Sequence, residues 1–311
     1  MKKLLHSRPI KMTCVIFLFT FSLFQPTTLF AETTSPIEKE ERGVFAEDIY
    51  NQFKGMDQTY EGPLPWENEQ VFLEGMQKNN TPIKMAAYKA ALHDPLPGEE
   101  YNIGLAASKL AGTVIKAGAV FSQNQTLGPY TQSKGYQAGP TYAGSKVTTT
   151  VGGGVCKIAS LLYNVATLSD LQIIMRYPHS MTVPYVPPGQ DATVFCGVKD
   201  LRFLNDTGGS VMIWSQKVGN TVYMALYGTK KPPKVTWHHR VLKRHNYWFT
   251  EKLNPNLPSG EEKIALPGQE GLIVRSWVTV EYPDKTKLTK NRGMSWYSAS
   301  PCIIEHGPLK K

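Results

Sequence analysis

Apolar residues return every three or four positions in a succession of short stretches along the first half of the chain. Trp66–Asn79 is one. In 82–93 the repeat is Ile83, Ala86, Ala87 and Ala90; in 100–111 it is Ile103, Ala106, Ala107 and Leu110; in 157–168 it is Ile158, Leu161, Leu162 and Val165. Each pattern predicts a helix with one buried face, and Pro95 and Pro97 end the second. From Gly112 onward the texture changes to β-branched residues, glycines and aromatics. Ser145–Val151, Thr182–Tyr185 and Ala192–Val198 read as strands, and Val211–Lys217 and Thr221–Tyr227 flank Gly219-Asn220, a hairpin signal. Val235–Thr250 is basic and aromatic, 251–260 is a loop rich in Pro, Asn and Gly, and the alternation of Leu272, Val274, Val278 and Val280 predicts a half-buried strand. The expectation is an α+β fold: N-terminal helices, then a mainly antiparallel β domain carrying a cysteine-bearing helix, then a β-rich C-terminal tail. The corresponding regions are 32–99, 100–230 and 231–311.

The first 31 residues stand apart. Lys2, Lys3, Arg8 and Lys11 precede an apolar run from Met12 to Phe24, and Ala31 is followed by a polar, acidic stretch in which Ser35 and Glu38 have capping-box spacing. This is the layout of a secretory signal peptide, with a run shorter than the roughly 20 residues of a membrane-spanning helix. The expected location is outside the cytoplasmic membrane, with membrane attachment only if the segment stays uncleaved. Its removal takes away four positive charges and no acids, so the net charge falls from +9 to +5. A mildly basic exported chain suits anionic wall polymers and argues against nucleic acid as the partner of the basic, aromatic stretch 230–252. Three cysteines remain, Cys156, Cys196 and Cys302. The number is too small for a disulfide-built fold, and it is odd, so at least one thiol is free or pairs between chains.

Gly152-Gly153-Gly154-Val155-Cys156 lies between a threonine-rich strand and an amphipathic helix. Consecutive glycines mark unusual backbone angles or a close approach. The turn would place Cys156 at the helix N-terminus, where unpaired amides and the helix dipole favour a thiolate and could hold an oxyanion. His179, before a predicted strand, is the candidate base, and Asp191, after Pro187-Pro188-Gly189-Gln190, the candidate group to orient it. A buried structural cysteine and a turn-capping aspartate are the alternative readings. No ligand spacing accompanies Cys156, and the adjacent His238 and His239 would face opposite ways on a strand, so neither a metal nor a cofactor is expected.

These residues resemble the VanW-like family. The resemblance runs from Gly112-Thr113-Val114-Ile115 through Phe121-Ser122, Gly128-Pro129, Gly135-Tyr136, Gly152-Gly153-Gly154-Val155-Cys156 and Leu162-Tyr163-Asn164. It continues through Arg176, His179-Ser180, Tyr185-Val186-Pro187, Gly189, Asp191-Ala192-Thr193-Val194 and Asp200-Leu201. It implies an exported protein that acts on peptidoglycan stem peptides as an L,D-transpeptidase does. Cys156 would attack the third-residue carbonyl, the terminal D-alanine would leave, and His179 would relay protons. Gly152, Gly153, Gly154, Lys157, Arg176 and Tyr185 are the substrate-contact candidates. Lys157, where glutamine is frequent in the family, puts a positive charge beside the thiol, and Gln190 stands where arginine is frequent. Two further readings remain open: a non-catalytic wall-binding module with an accessory role in glycopeptide response, and a disulfide between Cys156 and Cys196.

Overall fold

The computed structural model describes residues 59–92, 97–143 and 146–308. The signal-peptide layout, the capping pair Ser35/Glu38 and His93 fall outside these residues. Within them the chain has four helices and fifteen strands. The elements ahead of the glycine turn are α1 (Gln70–Asn79), β1 (Ile83–Ala91), α2 (Pro97–Leu110), β2 (Thr113–Ile115), β3 (Val120–Ser122), α3 (Gln123–Leu127), β4 (Ala138–Ala143) and β5 (Lys146–Val151). After the turn come α4 (Val155–Leu168), β6 (Gln172–Met175), β7 (Arg202–Leu204), β8 (Val211–Val218) and β9 (Thr221–Gly228). The C-terminal strands are β10 (Lys234–His245), β11 (Phe249–Leu253), β12 (Glu262–Leu266), β13 (Gly271–Glu281), β14 (Lys287–Tyr297) and β15 (Cys302–His306).

An antiparallel sheet in the order β1-β9-β8-β2 forms one wall of the core, with the predicted hairpin at its centre. Helix α4 is buried along almost its whole length. Its residues Val155, Ile158, Leu161, Leu162 and Val165 share one apolar cluster with Ile103, Ala106 and Leu110 of α2 and with Val211, Ile213 and Leu226 of the sheet. A helix that is apolar nearly all round has no solvent face to keep, so it becomes the centre of the domain. Burial of each of its large aliphatic side chains stabilises the fold by about 1.5–3 kcal/mol. Two further sheets, β10-β13-β14 and β11-β15-β12, make the β-rich C-terminal part. The chain is therefore mixed α+β with largely antiparallel pairing; β11 and β15 pair in parallel.

Three expectations need correction. The alanine-rich stretch 82–93, read as a helix, forms β1 and pairs with β9 from Ile83 to Ala91. Small residues at three- and four-residue spacing also fit a strand, and a ready edge on β9 outweighs alanine's helix propensity. Thr182–Tyr185 and Ala192–Val198 are not strands. Their polar backbone groups are taken up elsewhere: Thr193 N–H donates to Tyr177 O at 2.8 Å and Ala192 N–H to the Ser160 hydroxyl at 2.9 Å. Cys196 is consequently not an inward strand position. It sits half-buried in a tight turn whose neighbours Phe195 and Val198 are each 65% exposed.

Candidate functional site

The glycine turn shapes the start of α4. Gly154 caps the helix with φ of 102°. A Cβ on Gly153 would overlap the backbone of Gly139 and Pro140 in β4, so only glycine lets the β4–β5 hairpin lie against the turn. The amides of Gly152 and Gly153 donate to Gln137 O and Thr150 O, and those of Val155 and Lys157 to Gly152 O and Gly154 O. The glycines are thus a backbone joint, and the amides around them are largely engaged within it.

Along α4, Cys156, Ser160 and Asn164 follow one another at four-residue intervals and form one polar stripe on an otherwise apolar helix. Each of them holds the segment 190–194. The Cys156 Sγ lies 3.3 Å from Thr193 Oγ1 and accepts from the Val194 amide at 3.5 Å. Ser160 Oγ bridges the carbonyl and amide of Ala192. Asn164 Nδ2 donates to Gln190 O at 2.9 Å. This stripe fastens the loop carrying Asp191 to the helix carrying the cysteine.

Asp191, whose side chain is 1% exposed, is the hub. Its Oδ2 accepts from the His179 backbone amide and from the His179 ring at Nδ1, both at 2.7 Å. Its Oδ1 accepts from Arg176 Nη2 at 2.8 Å and from the Tyr297 hydroxyl. Arg176 also donates from Nε to Asp191 O at 2.6 Å and from Nη1 to Ser295 Oγ at 2.8 Å. Burial opposes the charge on Asp191, but Arg176 and the bonds from His179 outweigh it and hold the carboxyl well below the ordinary aspartate range. Burial likewise works against an imidazolium at His179. The Asp191 hydrogen bond, followed by Cys156, overcomes it and raises the ring to about 9. Burial pushes the Cys156 thiol up; the His179 ring, by hydrogen bonding and by charge, then Thr193 and the Val194 amide pull it below the ordinary value. The shifts of Cys156 and His179 both favour the charged forms, with a carboxylate behind the ring.

The structure thus brings Cys156, His179 and Asp191 together. It places the other candidates differently. Lys157 is buried, ion-paired with Glu99 at 2.9 Å, and its ammonium lies 5.1 Å over the Tyr185 ring. Tyr185 is buried edge-on to His179. Arg176 stands behind Asp191, its side chain 7% exposed. Each of the three is thus already engaged within the protein. Cys156, Cys196 and Cys302 are free thiols, so the Cys156–Cys196 disulfide is not formed. Sequence reasoning gives no site role to Ser160, Asn164, Thr193, Ser295 or Tyr297, although Asn164 and Thr193 lie in the runs that resemble the family and Tyr297 in a tail that resembles the one often following it. The polar stripe on α4 is a readable signal for Ser160 and Asn164; no local pattern links Tyr297 to Asp191, 106 residues away.

An α+β domain that sets a helix-N-terminal cysteine against a histidine–aspartate pair is the class this geometry defines. Residues 98–227 match the family described as VanW like protein, and this part of the chain is a VanW-like domain. The chain is 34% identical over 146 residues to the uncharacterized protein YoaR of Bacillus subtilis, an alignment that covers 47% of this chain and 48% of that one. It is 33% identical over 137 residues to the vancomycin B-type resistance protein VanW of Enterococcus faecalis, covering 42% and 50%. The chain therefore spans about half the length of the curated relatives it matches. Among solved structures, the G5 domain of an IgA1 protease is 20% identical, covering 27% of this chain and 100% of that one, with a TM-score of 0.17. A likeness that small carries no functional argument. Among the described residues, no helix is long and apolar enough to cross a membrane.

Proposed function

We propose that this is an exported, cell-wall-associated protein in which Cys156 is a nucleophile toward peptidoglycan stem peptides. The observation that carries the reading is the Asp191–His179 hydrogen bond at 2.7 Å, with the ring lowering the pKa of the Cys156 thiol at the N-terminus of a buried helix. In the proposed reaction the Cys156 thiolate adds to the carbonyl of the third stem residue. The C–N bond to the terminal D-alanine breaks, the His179 imidazolium gives its proton to the departing amine, and a thioester remains. An amine from a neighbouring stem then attacks the thioester, the S–C bond breaks, and His179 takes the amine's proton, restoring the ion pair. Asp191 keeps the ring in the Nδ1–H tautomer and stabilises its charge, as the third member of such triads does.

The test is incubation of the mature protein and a Cys156→Ser variant with tetrapeptide muropeptides, read by intact-protein and muropeptide mass spectrometry. An acyl adduct on Cys156 with release of D-alanine, absent from the variant, is the expected result. No adduct and no release from the intact protein would remove the acyl-transfer reading.

A second reading, a non-catalytic wall-binding module acting in glycopeptide response, is favoured by two observations. The relative from Enterococcus faecalis is named as a vancomycin resistance protein. The C-terminal sheets and the connection before β11 also expose Trp248, Phe249, Leu253 and Trp296 amid lysines and arginines, a composition suited to an anionic polymer with apolar faces. Sedimentation with purified cell walls that persists in Cys156→Ser, without any turnover, would establish it in place of the first.

A further inference from the structure

The loop Pro187–Asp191 is held from two sides. Helix α4 grips it through Ser160 and Asn164. The sheet β10-β13-β14 grips it from the other side, and each of its three strands supplies a contact. From β14, Tyr297 accepts from the Gly189 amide at 2.6 Å and donates to Asp191 Oδ1. Ser295, two residues earlier and so on the same face of the strand, accepts from Arg176, whose other nitrogens hold Asp191. From β10, His239 Nε2 meets Gln190 Nε2 at 2.9 Å, and its Nδ1 meets Ser276 Oγ of β13 at 2.9 Å. Gly189 has φ of 94°, and a Cβ there would overlap the Ser276 side chain. The loop therefore fits against the sheet without space for a side chain.

We infer that the C-terminal sheet is a working part of the site, and that Tyr297 is a positioning residue that fixes Asp191 and, through it, the His179 ring. This inference rests on the reading of Cys156 as a nucleophile served by His179. The groups around Asp191 that carry or can carry charge are Arg176, His179, Tyr297, Tyr163 beneath Arg176 and, one contact further out, His239. Burial, then the Asp191 charge, raises the Tyr297 phenol, so it stays protonated and donating at neutral pH. Burial, then His238 and Arg176, lowers His239 to about 4, so it contacts Gln190 as a neutral ring. The contact is thus unaltered across the pH range in which a thiolate–imidazolium pair forms. One hydroxyl satisfies a buried amide and one carboxylate oxygen of the same loop. Its loss strands the Gly189 donor in a buried setting, and the loop must move to relieve it.

The test is Tyr297→Phe, which keeps the ring and removes the hydroxyl. The pH profile of Cys156 alkylation is measured by mass spectrometry and the His179 ring titration by NMR. Val280→Ala serves as comparison: Val280 is buried in the same sheet, paired with Leu288 far from the loop, so it loosens the sheet and leaves the hydroxyl in place. Tyr297→Phe is expected to move the alkylation midpoint up by at least half a unit, about a threefold loss of rate at pH values well below the midpoint, and to lower the His179 pKa. Val280→Ala is expected to lower the melting temperature without moving either. An unmoved profile in Tyr297→Phe, a shift to lower pH, or an equal shift in Val280→Ala overturns the inference. A shifted profile in a protein that never acylates a muropeptide keeps it and removes the acyl-transfer reading instead.

Discussion

Replacing Asp191 by asparagine removes one charge and adds two donors at the most buried polar point of the site. The carboxylate accepts from four groups: Arg176 Nη2, the His179 amide, His179 Nδ1 and the Tyr297 hydroxyl. An asparagine oxygen can serve two of them. With its nitrogen in the Oδ2 position, the amide group meets the His179 N–H and forces the ring to the other tautomer. With its nitrogen in the Oδ1 position, it faces the guanidinium. In either orientation Arg176 keeps its charge at 7% side-chain exposure without an anion, and breaking a buried pair in this way costs about 3–5 kcal/mol. At about 2–4 °C per kcal/mol for a chain of this size, the melting temperature falls by roughly 6–20 °C. Urea denaturation followed by tryptophan fluorescence measures the loss, and Arg176→Met combined with Asp191→Asn tests its origin. Removing the stranded charge recovers part of the loss if the argument holds. A loss below about 1 kcal/mol, the scale of an exposed pair, would refute the assignment of Asp191 as the buried hub.

Three more outcomes follow from the same contacts. Because the folded-state pKa of Asp191 is depressed, its contribution is present above the ordinary aspartate value of 3.8 and is lost only as pH falls below it. Asp191→Asn should therefore flatten stability against pH between about 2 and 4, as seen by circular dichroism; an unchanged slope would contradict the shift. Thr193→Val removes the hydroxyl 3.3 Å from Cys156 Sγ and should raise the midpoint of thiol alkylation by a few tenths of a unit, about a twofold loss of rate at pH values well below the midpoint; no change would place the hydroxyl outside the thiol's environment. Gly153→Ala forces the β4 backbone away from the turn and should cost about 1–3 kcal/mol, measured by urea midpoint; a neutral effect would deny the close approach.

The parts of this fold legible in the sequence are those whose partners are near in the chain. Helix α4, with Ile158, Leu161, Leu162 and Val165 inward, and the β8–β9 hairpin at Gly219-Asn220 carry their own periodicity and turn chemistry. β1 was not legible, because its alanines fit either period and its fate depends on β9, more than a hundred residues away. Nor was the irregular path of 182–198, since its amides are satisfied by scattered partners, Ser160 and Cys156 of α4, Tyr177 and Tyr297 among them, and not by a strand ladder. Cys156, His179 and Asp191 could be selected because a glycine turn, a histidine and a turn aspartate each have a local reason to be chemical. Arg176 and Lys157 show the limit of that logic: a positive residue near a site reads as a substrate contact, while Asp191 and Glu99 already hold them. Tyr297 and Ser295 lie on β14, where the apolar positions Met294 and Trp296 alternate with them on the other face, the one the structure leaves exposed.

The reactivity proposed for Cys156 rests on His179, held by Asp191, pulling the thiol below its ordinary pKa. Its most direct test is the pH dependence of alkylation at each cysteine, resolved by mass spectrometry, in the mature protein and in His179→Ala. Cys156 is expected to react with a midpoint clearly below the ordinary thiol value of about 8.5, and His179→Ala to move this midpoint upward. A Cys156 that titrates as an ordinary thiol in the intact protein, or a midpoint indifferent to the loss of His179, would contradict it.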